Sequence, residues 1–435
     1  MMNNYDTRKF DVVIIGGGPA GMMSAGIAAQ NGASVALLEK NSKLGQKLLL
    51  TGKGRCNITN AEFDNRKLSE KYGKEGKALL SPFSIFAPKD TISFFENLGI
   101  KTKIERGQRV FPSSDSAPDV LNALIKFLKK QNVNIIYNTT VTDFKQKTDG
   151  KISYIITSDN EKIFADNYII CTGGKSYPRL GSTGDGYLWA EKLGHTISKP
   201  KPSLTPIKIK ESWVKDAQGL SLKNVKLTLW QGSGQAKQNE EKSVECFGEM
   251  LFTHFGISGP ISLDISKKVG ALLDKGEAIL RLDLKPALSA LELDKRIQKD
   301  FQKFQNKLFK NSLNDLLPQK LIPIIINLSK INPDKKVHSI TKEERSRLVN
   351  LLKNIKMTPK ELIGFERAIV TSGGISLKEI DFKTMRSKIV KNLFFAGEII
   401  NLDGPCGGFN LQICWTTGYI AGKNAAPKNK KLKKL

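Results

Sequence analysis

Hydrophobic positions change period twice within the first forty residues. Phe10 to Ile15 is apolar apart from Asp11 and predicts a buried strand. Pro19 to Gln30 is rich in small residues and predicts a helix, and Ser34 to Leu38 predicts a second strand. That order opens a βαβ unit. Further strands are expected over 134–143 and 151–170, with the turn Asp149-Gly150 between them. Three prolines between Lys199 and Pro206 predict a crossover out of the first domain. Short alternating segments over 207–283, such as Val225 to Trp230 and Ala278 to Leu282, predict a mostly β insertion. Between 287 and 356 glycine is absent, and Leu, Ile and Lys recur at helical spacing, bounded by Pro286 and Pro359. Glycines return from Gly364, with strand-like Ile389 to Ala396 and a final helix near Leu411 to Ala421. This end reads as a return to the first domain.

The sharpest local motif is Gly16-Gly17-Gly18-Pro19-Ala20-Gly21, placed between the first strand and the first helix. In such a turn Gly16 permits the tight bend, Gly18 lets backbone approach a pyrophosphate, and Gly21 allows close helix–strand packing. Unpaired N–H groups and the positive dipole end at the start of the helix suit phosphates. Glu39, followed by Lys40, ends the second strand 18 residues after Gly21, where a carboxylate can accept both ribose hydroxyls. That carboxylate would repel a 2′-phosphate, so FAD or NAD is expected at this turn and not NADP. The chain is therefore expected to be α/β with a Rossmann-like core.

Other glycine-rich segments extend the site. Gly45-Gln46-Lys47 precedes Thr51 to Asn60, in which Gly54, Arg55, Cys56 and Asn57 suit a loop wrapped around phosphate and ring oxygens. An ordinary polar loop is the competing reading. Thr172-Gly173-Gly174 follows the apolar strand Tyr168 to Ile170. Gly397-Glu398, then Asp403 and the run Cys406-Gly407-Gly408-Phe409-Asn410, follow another strand. An acid past a strand-glycine, then Gly-Gly opening a helix, fits the ribityl chain and pyrimidine edge of a flavin. The positive end of that helix would stabilise an anionic reduced ring. These clusters are far apart in sequence, so the cofactor domain is expected to be discontinuous. Its parts are 1–199 and 361–423, with a β-rich inserted domain at 200–284, a small basic helical domain at 285–360 and a basic tail at 424–435.

Composition narrows the classes. Of 435 residues, 40% are hydrophobic and 26% charged, an ordinary folded, soluble composition. No run approaches the roughly 18–20 apolar residues of a membrane span. Val12 to Ile15 leads straight into glycines without a cleavage-site pattern, so a strand and not a signal peptide is expected. Five scattered cysteines argue against a disulfide framework and for a cytoplasmic location, and three histidines are few for a metal enzyme. A pyridine-nucleotide disulfide reductase is disfavoured, because the chain has neither a Cys-x-x-Cys pair nor a second complete nucleotide turn; Gly232-Ser233-Gly234 reads as a hairpin loop. The net charge of +27 exceeds what a dinucleotide requires. Over 285–356 there are 16 Lys and Arg against 7 Asp and Glu, and the Lys-rich tail begins at Lys423. Either a solvated lysine-heavy surface or a polyanionic partner accounts for this.

With these motifs in order, the sequence resembles the BaiN/RdsA family of FAD-dependent flavoproteins, also described as aminoacetone-oxidase-like. The likeness runs through Gly16 to Gly21, Thr51 to Asn60, Arg109 to Pro112, Thr172 to Pro178 and Gly181 to Tyr187. It continues through Gly248 to His254, Gly256 to Pro260, Thr371 to Ile375 and Gly397 to Asn410. One departure is Asn401, where the family more often carries Asp. The resemblance implies a discontinuous FAD domain, a β-rich insertion, a small helical domain and non-covalent FAD. One branch of the family is similar to dihydrouridine synthases acting on large-subunit ribosomal RNA; other members are linked to bile-acid reduction or small-amine oxidation. The RNA branch implies NADH or NADPH as reductant and an acid to protonate C5 of an unstacked uracil, for which Cys56, Cys406 and His254 are the candidates. Structural roles compete for all three. A small-molecule flavin oxidase or reductase, and an RNA-binding protein with structural FAD, are the alternative functions.

Overall fold

In the computed structural model, residues 9–232 and 241–427 are described; the expected loop at Ser233 and Gly234 and most of the lysine tail lie outside them. The chain divides into two compact units, Met1–Pro202 with Ile369–Leu435, and Ser203–Ala368.

In the first unit, β1 (Lys9–Ile15), β2 (Val35–Leu38), β3 (Asn134–Ile136), β4 (Lys162–Ile170) and β5 (Leu393–Phe395) form a parallel array in the order β3-β2-β1-β4-β5. Val12 to Ile14 and all of β2 are buried, as expected for parallel strands covered on both faces. The antiparallel strands Val141–Gln146 and Ile152–Thr157 attach beside β4. Helix α1 (Pro19–Gln30) packs on α2 (Ala117–Lys130) and α3 (Phe409–Ala425). Small residues set the α1–α3 approach. A Cβ on Gly418 would stand 2.7 Å from the Ala20 carbonyl oxygen, and one on Gly422 2.4 Å from that of Ser24. The Ser24 hydroxyl bridges the two helices by donating to the Gly418 carbonyl at 3.0 Å. The C-terminal segment is thus built into the dinucleotide core.

The proline-rich stretch expected as a crossover is the strand Ile197–Ser203, at the end of which the chain passes from the first unit to the second; among the described residues it pairs with Val370–Ile375 alone. Pro200 and Pro202 are tolerated because a two-stranded ribbon leaves one side of each strand without a ladder.

In the second unit, seven strands pair antiparallel in the spatial order Ile355–Met357, Glu277–Asp283, Ser221–Gly232, Glu241–Thr253, Gly256–Ser258, Ile207–Ile209 and Pro359–Leu362. Helices Ala290–Lys303, Ile322–Ser329 and Lys342–Lys353 share its core, in which Leu227, Phe252, Leu280, Ile297 and Leu348 are fully or almost fully buried. Pro260–Leu273, within the stretch read as mostly β, is a helix: Gly259 turns the chain at φ +87° and Pro260 starts the first turn.

Candidate functional site

The parallel strands end in register. Ile15 lies opposite Leu38 and Ile170, and Ile170 opposite Phe395. The residues just past these ends therefore gather around one open cleft, lined by Gly16, Gly18, Pro19, Ala20, Glu39, Lys40, Lys47, Thr172, Gly173, Gly397 and Glu398. In an open α/β sheet this carboxyl edge is where ligands bind.

The glycines divide by role. Gly16 has φ +104°, and a Cβ there would stand 2.6 Å from the Cys171 carbonyl oxygen; one on Gly21 would stand 1.8 Å from that of Gly16. Around Gly18 nothing lies within 4 Å of the Cβ position. Helix α1 begins there with Pro19, without a side-chain cap or an acidic residue in its first turn, so its positive end is left for an anion.

Glu39 is buried and uses both oxygens: one accepts the Gly17 N–H at 2.8 Å, the other the backbone and side-chain N–H of Asn41, each at 2.8 Å. The carboxylate thus braces the glycine turn as well as facing the cleft. Lys40 donates to Thr183 at 2.6 Å and to Asp185 at 2.9 Å. Burial works to raise the Asp185 carboxyl, but the hydrogen bonds from Thr183 and Lys40 outweigh it and hold the group below its usual range. Lys47 and Glu398 meet at 2.8 Å, and the second Glu398 oxygen accepts the Thr371 N–H at 2.7 Å. The Thr371 hydroxyl in turn accepts from the backbone of Lys175 and Ser176 at 2.8 and 3.2 Å. Gly174 packs against this hydroxyl, its Cβ position only 2.3 Å away.

A second group surrounds the start of α3. With its amide oriented to satisfy both ends, Asn57 accepts from Gly408 N–H at 2.9 Å and donates to the Thr59 and Val110 carbonyls. Asn60 donates to Gly407 at 3.0 Å, Tyr72 to the Phe409 carbonyl at 3.0 Å, and Asn410 closes its own loop on Gly404. Asp403 and Cys406 are half-buried in that loop. Gly54 turns at φ +84° with open space about it. Arg55 is drawn to Glu105 at 2.9 Å and Asp115 at 3.2 Å and lies 3.9 Å over the Phe111 ring. Asn401 donates to Ser198 at 3.2 Å, so a neutral amide suits its place. His254 belongs to the second unit and is exposed.

Thr371, Thr183, Asp185 and Cys414 were missed as individual residues. For Thr371, Thr183 and Asp185 the signal was present in the motifs Thr371 to Ile375 and Gly181 to Tyr187, whose hydroxyls and acid find their partners only through tertiary contact.

Cys56 is buried, with a left-handed φ of +60°, and burial pushes its thiol up to about 12; Cys171 is likewise pushed up to about 12. A thiol at 12 is thiolate in only about one molecule in 10⁴ at pH 8, and the thiolate is the reactive form. Iodoacetamide at pH 8 is accordingly expected to label the half-buried Cys406 in the native protein, and Cys56 and Cys171 only after unfolding. Peptide mass spectrometry of native and urea-treated samples checks this, and early labelling of Cys56 would contradict its burial.

The cleft fits a dinucleotide on three counts: the open cradle at Gly18, the uncapped start of α1, and the buried Thr172 hydroxyl in its lining, which has no protein partner. Residues 10–424 match the family described as the HI0933-like protein Rossmann domain. The chain belongs to that family. It is an FAD-dependent oxidoreductase with an FAD-binding Rossmann domain. It is 32% identical to a 3-dehydro-bile acid delta(4,6)-reductase of Clostridium scindens, over 95% of this chain and 98% of that one. It is 30% identical to a ribosomal RNA dihydrouridine synthase of Haemophilus influenzae, over 94% and 96% of the two chains. The protein of the same name in Escherichia coli is 27% identical, over 96% and 98%. A 3-ketosteroid-delta4-(5alpha)-dehydrogenase from Rhodococcus jostii, solved with 4-androstene-3,17-dione, covers 98% of this chain and 99% of its own at TM-score 0.52. At 14% identity that likeness shows the fold. Among the described residues, no helix is long and apolar enough to cross a membrane, and no cluster of three or more His, Cys, Asp or Glu could hold a metal.

Proposed function

We propose that this chain reduces a uridine of large-subunit ribosomal RNA to dihydrouridine in the cytoplasm, with NADH or NADPH as reductant. The observation that carries the reading is its near end-to-end likeness to two proteins named ribosomal RNA dihydrouridine synthase. The net charge of +27 supports it, because Lys and Arg that neutralise phosphates release condensed counterions. The balance is one uridine, one reduced nicotinamide and one proton giving dihydrouridine and oxidised nicotinamide. Bound FAD supplies the two-electron relay between nicotinamide and the uracil double bond.

The chain's own residues bind, orient and protonate. The α1 N-terminus with Gly16 to Gly21 takes the pyrophosphate, Glu39 the ribose, and Thr172, Gly173, Lys47 and Glu398 the parts beyond it. Asn57, Asp403 and Gly407 to Asn410 shape the flavin-side loop at the start of α3. Proton delivery to C5 needs an acid near that loop, and Cys406, half-buried there, is our choice. Cys56 is less suited, because a thiol pushed up to about 12 is a poor donor. The uracil has to leave its stack to be reached.

The Clostridium scindens relative favours a second reading, in which the substrate is a small molecule whose double bond is conjugated to a carbonyl. Nucleoside mass spectrometry of ribosomal RNA from cells with and without the gene separates the two. Loss of one dihydrouridine, restored by the gene, is expected; an unchanged profile would remove RNA as the substrate. Flavin that NADH and NADPH both fail to bleach would point to a structural cofactor instead.

A further inference from the structure

The second unit carries an open basic pocket whose lining shares no residue with the cleft described above. Lys208, Lys210, Lys215 and Lys360 line it together with His254 and Phe255. The two rings occupy the turn between strands Glu241–Thr253 and Gly256–Ser258, with centroids 4.8 Å apart and nearly perpendicular. Phe255 is half-buried and His254 exposed, so the turn presents one anchored and one open ring face.

Of the carboxylates around the pocket, one is engaged away from its lysines and two pair with them, which leaves Lys215 and Lys360 as the cations without an acidic partner among the described residues. Glu211 accepts the backbone and hydroxyl of Thr358 at 2.8 and 2.7 Å. Glu361 pairs with Lys208 at 2.7 Å, and Glu277 lies 3.6 Å from Lys210. Lys215 and Lys360 are exposed, and neither carries a salt bridge among the described residues. Two exposed ammonium groups without acidic partners, beside a pair of aromatic rings, match a nucleic-acid strand, whose phosphates need cations and whose bases need a π-face. A small carboxylate or free phosphate would use the cations and leave the rings without a role.

We infer that this pocket binds an unpaired segment of RNA, its phosphates on Lys215 and Lys360 and a base against His254 and Phe255. The inference rests on the RNA reading above and adds where the strand is held. Fluorescence anisotropy of a labelled single-stranded RNA on the FAD-loaded full chain tests it, across a series of salt concentrations. The variant Lys215→Ala/Lys360→Ala, both exposed positions, is expected to keep its flavin spectrum and melting temperature. It should bind RNA severalfold more weakly, with the slope of log K against log salt shallower by roughly 0.7 per phosphate contact removed. Phe255→Leu should weaken binding while leaving the slope unchanged, because stacking carries no counterion term. If the wild type binds RNA and these variants match it in affinity and slope, the pocket is not the site and the RNA reading stands. Competition by inorganic phosphate as strong as by RNA would overturn the strand and leave an anion site. A wild type without RNA affinity would defeat the inference, and nucleoside mass spectrometry would then show whether the RNA reading falls with it.

Discussion

Gly21→Ala is expected to give a destabilised protein that purifies nearly free of flavin, whereas Gly18→Ala should fold normally and bind flavin weakly. The two glycines belong to one turn, yet a methyl group meets different surroundings at each. At Gly21 it would stand 1.8 Å from the Gly16 carbonyl oxygen, a backbone atom that moves only if the whole turn opens. Overpacking of this kind costs about 1–3 kcal/mol, and more where backbone must shift. At Gly18 the methyl meets no protein atom within 4 Å, and the residue's φ of −79° is open to any side chain. Loss of glycine at this N-cap should therefore change apoprotein stability by no more than about 1 kcal/mol. The space it fills is the cradle at the start of α1, so the loss falls on cofactor affinity. Thermal melts of the apoproteins and the ratio of 450 nm to 280 nm absorbance separate the two effects. Full flavin loading of Gly18→Ala would show that no phosphate uses this cradle.

That contrast also marks what the sequence made legible. The bounds of α1 could be read to the residue, because Gly18-Pro19 starts it and small residues fill it. Glu39 and Glu398 could be placed past strand ends because apolar runs stop just before them. What could not be read depends on partners distant in sequence. Thr371 gains its role from Lys175, Ser176 and Glu398, the first of them 196 residues away. Arg55 carries nothing in its local sequence that points to Glu105 and Asp115, yet both engage it. The strand Ile197–Ser203 was hidden by Pro200 and Pro202, which local rules take as breakers and a two-stranded ribbon accepts. The helix Pro260–Leu273 was hidden by short β segments on either side of it, although Gly259-Pro260 was a legible start.

The Lys47–Glu398 pair is the place where stability and cofactor binding should be most strongly coupled. The two side chains are 20% and 16% exposed, so water screens their charges only in part. Lys47→Met leaves a carboxylate in the cleft wall with the Thr371 N–H and no cation, and Glu398→Gln leaves the ammonium facing an amide. Losing one partner of a fully buried pair costs about 3–5 kcal/mol, and the remaining exposure reduces this to about 1–3 kcal/mol here. The double variant Lys47→Met/Glu398→Gln should be less destabilised than the two single variants added together, by about 1–2 kcal/mol, because it leaves no orphan charge. Urea melts of the four apoproteins measure that coupling, and flavin fluorescence quenching measures the affinity of each. A coupling near zero would mean that the 2.8 Å contact contributes nothing to the fold. If the coupling appears and the double variant regains stability but not flavin affinity, the charges themselves are needed at the cofactor. If it regains both, the pair only holds Gly397 and Thr371 in place, and the cleft's shape rather than its charge selects the ligand.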